Sequence, residues 1–127
     1  MNEFGLSEKT MKIIHEIYSQ FPQIESVILY GSRAKGNFKP GSDIDMTIVA
    51  DPTFDFSALA KVNTMFHESS LPYLYDISDF SKLTNPDLIE HIKRCGKVIY
   101  RNDNRIRLTS RGRSLCDSAG VPQRVAN

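Results

Sequence analysis

At 127 residues, 40% of them hydrophobic and 24% charged, the chain has the size and balance of one globular domain with a modest core, which excludes a multidomain or largely disordered protein. No run of about 18 apolar residues is available to span a bilayer, and the opening MNEFGLSEKT lacks the basic-then-apolar profile of a signal peptide, so no membrane is expected and a cytoplasmic location is the default. The net charge of +1 is uneven: residues 1–100 carry 10 Lys/Arg against 13 Asp/Glu, whereas residues 101–127 carry 6 against 2.

In chain order, Ser7 can cap a helix whose apolar residues Met11, Ile14, Tyr18 and Phe21 recur at helical spacing, with Pro22 as its stop. IESVILY, Ile24 to Tyr30, is β-branched and apolar enough for a buried strand, and Gly31-Ser32 ends it. Past a loop marked by Gly36, Pro40 and Gly41, DIDMTIVA reads as a second strand closed by Asp51-Pro52. Phe56, Leu59, Ala60, Val62, Met65 and Phe66 predict a second helix whose stripe packs on the sheet, and LPYLYDIS a third strand. Asn85-Pro86 is a cap followed by proline at the first helical position, opening DLIEHIKRC, with Gly96 as a left-handed stop before the strand KVIY. The alternation predicts an α/β fold: a small mixed β-sheet flanked by helices.

The chemistry concentrates in LYGSRAKGNFKPGSDIDMTIV, Leu29 to Val49. Side chains alternate along a strand, so Asp43 and Asp45 share one face while Ile44 points to the other. Like charges that close raise one another's pKa, and a divalent cation with oxygen ligands converts the repulsion into coordination; magnesium is the one that also binds phosphates. Upstream, Gly31 lets backbone approach a ligand, Ser32 offers a hydroxyl and an amide at the start of a short helix, and Gly36 turns the loop back toward the carboxylates. Arg33, Lys35 and Lys39 extend cationic reach toward phosphate oxygens, or are simply solvated loop charges.

This arrangement, Gly31-Ser32, three residues, Gly36, five residues, then Ser42-Asp43-Ile44-Asp45, resembles the signature of the DNA polymerase β-like nucleotidyltransferase superfamily, and more narrowly that of the bacterial minimal nucleotidyltransferases. The likeness runs from about Phe21 to Tyr100, within a domain taken as residues 1–100. It implies a polymerase β palm-like core with a third carboxylate on a neighbouring strand. Asp76, inside the apolar run, is preferred there on the expectation of burial; Asp79, at the strand end, is the competitor that could instead cap the next turn. By the same resemblance, two Mg²⁺ ions held by Asp43, Asp45 and Asp76 clamp a nucleoside triphosphate, ATP by family habit. Gly31 and Ser32 hold its phosphates, Arg33 and Gly36 complete the nucleotide corner, Ser42 orients the aspartate strand, and Asp76 helps deprotonate the acceptor hydroxyl. The chain is too short for the helical domain that larger members add, so the resemblance implies a helical partner of the HEPN class, whose tyrosine is the acceptor of AMP when such a pair acts as toxin and antitoxin. The alternative is a non-catalytic nucleotide-binding module that acts by capping that helical partner.

Other features read plainly. His15, His67 and His91 fall on separate predicted helices without ligand spacing, and Tyr73 and Tyr75 pack on a sheet face rather than stack a base. Cys95 and Cys116 match no disulfide framework or zinc spacing. The basic stretch 101–127 has no aromatic residue to stack nucleic-acid bases and reads as a solvated, poorly ordered tail.

Overall fold

The computed structural model describes residues 4–39 and 41–102. Helix α1 (Glu8–Tyr18) is followed by strand β1 (Ile24–Tyr30), a one-turn helix α2 (Ser32–Lys35), β2 (Ile44–Ala50), α3 (Phe56–His67), β3 (Tyr75–Asp79), a 3₁₀ turn (Phe80–Lys82), α4 (Pro86–Cys95) and β4 (Lys97–Arg101). The strands form one sheet in the order β3-β2-β1-β4, with β1 antiparallel to both β2 and β4 and β2 parallel to β3, so the predicted mixed sheet is present.

Local chemistry sets most boundaries. Ser7 accepts the Thr10 amide at 3.1 Å and caps α1, and Asn85 accepts the Asp87 amide at 2.9 Å and caps α4 with Pro86 in its first turn. Pro22 does not end α1, which stops at Tyr18: the Ser19 hydroxyl and the Gln20 side-chain amide both donate to the Glu16 carbonyl, and the Gln20 and Phe21 amides turn back to Ile17 and Tyr18. Gly96 is not the left-handed stop the sequence predicts, having an extended backbone at φ −68°. It is glycine because a Cβ there would collide with the Ile92 carbonyl and the Ile28 side chain, where α4 lies against β1.

One sheet face carries Val27, Leu29, Ile44, Met46, Ile48 and Ile77, and with Ile14, Tyr18, Val62 and Phe66 of α1 and α3 these make up the core; the Tyr18 and Phe66 rings lie 5.3 Å apart. The α3 stripe is narrower than predicted, since Phe56 is 83% exposed and Ala60 is exposed. Asp55 caps α3 through the Ala58 amide, which puts Phe56 on the outer side of the first turn and hands the core position to Phe54, ahead of the cap and edge-on to Phe21. Tyr73 and Tyr75 are partly buried against this core.

The boundary at residue 100 falls inside β4, which includes Arg101, and the Asn102 amide donates to the Glu25 carbonyl at 2.9 Å. Residues 103–127, which include Cys116 and all but the first two residues of the tail expected over 101–127, lie outside the described residues, and Cys95 is a free thiol. No helix among the described residues is long and apolar enough to cross a membrane.

Candidate active site

The opposite sheet face holds the polar residues. Strand alternation and the β2–β3 register put Asp45 directly beside Asp76, and the β1–β2 register puts Tyr30 on the other side of Asp45. Asp43 is exposed just before β2. One row further in, the Ser78 hydroxyl donates to Thr47 Oγ1 at 3.0 Å, tying β2 to β3 beneath the carboxylates.

The third-carboxylate alternative is separated by parity. Asp79 is an odd number of residues from Asp76, so it points to the core face, where it is 7% exposed and accepts both the Ser81 amide (3.0 Å) and the Ser81 hydroxyl (2.8 Å). It is a cap, as its position suggested. Burial is the reverse of what the apolar run around Asp76 predicts, however: Asp76 is exposed and Asp79 is buried. What favours Asp76 is its register with Asp45.

Electrostatics follow from this crowding. Burial raises the Asp45 carboxyl above its usual range, and the charges of Asp76 and then Asp43 push it further. Burial likewise raises the Tyr30 phenol, aided by the Asp76 and Asp45 charges and opposed by a side-chain hydrogen bond with Ser78. Tyr30, whose ring also meets His91 of α4 edge-on at 6.4 Å, is a site neighbour the sequence reading did not single out. The available signal was its place as the last strand residue before Gly31, on the parity that faces Asp45.

The Gly31-Ser32 corner packs directly on the Asp45 carboxylate. Gly31 has φ 80°, and a Cβ there would strike the Asp45 carboxylate, so both conformation and space demand glycine. Helix α2 starts at Ser32, whose hydroxyl has no hydrogen-bond partner among the described residues, and Gly36 closes it in the left-handed conformation with its amide on the Ser32 carbonyl at 3.0 Å. The Lys39 amide donates to Ser42 Oγ at 2.8 Å and the Ser42 amide to the Lys39 carbonyl at 2.9 Å, a reciprocal pair that closes the loop in front of Asp43.

Arg33 departs from expectation. It does not reach outward to phosphate: it is 2% exposed, with Nε held by the backbone carbonyl of Ser42 and Nη1 by those of Phe4 and Gly5. Lys35 and Lys39 remain exposed. His15 is satisfied, its Nε2 2.7 Å from the Ile99 carbonyl.

Asp43, Asp45 and Asp76 have no cationic side chain within ion-pair distance among the described residues, and the donor set is that of a hard divalent cation. No three His, Cys, Asp or Glu side chains among the described residues converge into a ready-made cage.

A mixed four-stranded sheet with a Gly-Ser corner abutting Asp45 of β2, Asp43 just ahead of that strand and Asp76 alongside on β3 is the arrangement of a nucleotidyltransferase of the polymerase β class. The family model described as "Polymerase beta, Nucleotidyltransferase" matches residues 12–105, and the chain belongs to that family. Its relatives include a probable protein adenylyltransferase MntA of Haemophilus influenzae, 29% identical over 104 residues, with 82% of this chain and 90% of that protein covered. Among solved structures, a toxin–antitoxin complex with AMP-PNP superposes with a TM-score of 0.60 at 21% identity, covering 80% of this chain and 82% of that one. A tri-AMPylated HEPN toxin of Shewanella oneidensis in complex with its MNT antitoxin gives 0.53 at 19%, covering 77% and 75%. The last two likenesses speak for the fold.

Proposed function

We propose that this nucleotidyltransferase moves AMP from ATP to a hydroxyl on a helical, HEPN-type protein partner, with Asp43, Asp45 and Asp76 as the residues that hold its divalent metal. The observation that carries the reading is the in-register pairing of Asp45 with Asp76 against a glycine, Gly31, that the Asp45 carboxylate leaves no room to replace. The kind of partner and the AMP group are taken from the MntA relative and from the toxin–antitoxin complexes that share the fold.

Magnesium bound by the three aspartates, as two ions in the family manner, would screen the triphosphate and lower the pKa of the attacking hydroxyl. The protein's own share is placement. Gly31 and Ser32 offer a backbone amide and a hydroxyl, the latter without a partner among the described residues, to the β and γ phosphates, and Gly36 and the Ser42 turn hold the corner against the aspartate strand. The acceptor oxygen attacks the α-phosphorus, the bond to pyrophosphate breaks, and Asp76, on the exposed side of the trio, takes the proton.

The test is transfer of label from α-labelled ATP to the helical partner purified with the protein, run with Mg²⁺ against the Asp43→Asn/Asp45→Asn pair. Label on the partner with wild type alone supports the proposal. Partner binding without label from either protein overturns it in favour of a capping role.

A further inference from the structure

Among the described residues Arg33 is the largest fully buried side chain, and it is a cation without a carboxylate partner there. Burying a charge is expensive unless its donors are satisfied, and an apolar residue of similar volume would fill the space as well or better for stability. The bonds that its Nε and Nη1 do make are therefore informative. Nε donates to the Ser42 carbonyl at 3.1 Å and Nη1 to the Phe4 carbonyl at 2.9 Å, while the guanidinium carbon lies 5.1 Å from the Phe38 ring centre and 4.9 Å from that of Tyr73.

Those bonds lead to the site. Ser42 supplies the peptide that precedes Asp43, and on the far side the Ile44 amide donates to the Leu74 carbonyl of the segment entering β3 at 2.9 Å. Asp43, which precedes the first strand residue, thus stands between two pinned peptide groups, one of them pinned by Arg33. Arg33 itself is the residue after Ser32, in a helix one turn long. A single side chain thus joins the Gly31-Ser32 corner to the backbone of the first aspartate.

We infer that Arg33 is a positioning residue that sets the separation between the Gly31-Ser32 corner and Asp43, and so couples triphosphate binding to metal binding. The inference rests on the roles proposed above for those residues. Lysine cannot substitute, because a single ammonium neither divides itself between the Ser42 and Phe4 carbonyls nor lies flat between two rings.

The experiment measures Mn²⁺ binding by titration calorimetry or electron paramagnetic resonance, with and without AMP-PNP, in wild type, Arg33→Lys, Asp43→Asn and the double variant, with thermal melts to fix the folded fraction. Arg33→Lys should weaken Mn²⁺ binding by about tenfold, the lower end of what loss of outer support to a metal ligand does. In the Asp43→Asn background the same change should have little further effect, because the ligand it positions is gone. A residue that merely stabilised the fold would lower the melting temperature in both backgrounds and leave the affinity of folded protein unchanged. Phe38→Leu, which removes one ring wall and keeps every Arg33 hydrogen bond, carries the same cycle if Arg33→Lys fails to fold, with an effect of about two- to threefold expected. Unchanged Mn²⁺ affinity in the folded variants, or effects of Arg33→Lys and Asp43→Asn that simply multiply, overturns the inference. Wild type that binds no Mn²⁺ instead removes the metal-site reading itself, and the inference with it.

Discussion

Replacing Asp45 with asparagine should stabilise the metal-free protein at neutral pH while abolishing transfer. Residues directly opposed on adjacent strands have Cβ atoms about 5 Å apart, and two unit charges at that distance repel by about 1 kcal/mol in water and about 3 kcal/mol at an effective dielectric of 20. Asp45 is half-buried but Asp76 is exposed, so the lower figure applies, about 1 kcal/mol, which raises the melting temperature of a domain this size by roughly 4–8 °C. The pH dependence has a definite sign. Asp45 has a raised pKa in the folded state, so between the ordinary aspartate pKa and that raised value the native protein binds more protons than the unfolded chain, and stability falls as pH rises through the window. The advantage of Asp45→Asn should be complete above the window and vanish below it. Magnesium should narrow the gap at neutral pH by stabilising wild type alone. Thermal melts by circular dichroism, in EDTA and in Mg²⁺ across this range, decide it; a variant that melts at or below wild type in EDTA at neutral pH refutes the reasoning.

Three further outcomes follow from the same geometry. Asp76→Asn should eliminate transfer with the melting temperature at or above wild type, whereas Asp79→Asn, which disturbs two hydrogen bonds to Ser81, should cost about 1–2 kcal/mol in denaturant melts and leave the transfer rate of folded protein near normal. Gly31→Ala should cost about 1–3 kcal/mol from its backbone conformation alone and displace Asp45 as well, so that stability and Mg²⁺ affinity fall together. A protein ended after residue 102 should retain Mg²⁺-dependent AMP-PNP binding by calorimetry; its loss would mean that residues 103–127 belong to the nucleotide site rather than to an appendage.

Much of this molecule is legible as a string. The strand Ile24–Tyr30 and both the cap and the proline of α4 stand where pattern and capping chemistry put them, because the signals are carried by residues adjacent in sequence. The same holds for the Gly31-Ser32 corner at the end of that strand; Asp43, predicted on the strand face of Asp45, lies one residue ahead of β2, so strand parity alone does not set its direction. Phe56 misled because an apolar stripe does not reveal the helix's rotation, which the Asp55 cap sets.

Two carboxylates and a glycine-serine corner come from consecutive segments, so the class of chemistry is readable from the order of residues before any fold is known. Tertiary structure alone decided which aspartate of β3 joins them, because the parallel register aligns Asp76 with Asp45 and turns Asp79 to the core. It also decided that Gly96 serves a close approach rather than a turn, and that Arg33 points inward to Ser42, Phe4 and two rings instead of outward to phosphate. Each of these depends on a partner distant in sequence, and a hydrogen bond or a collision with such a partner exists only once the strands have been set in register.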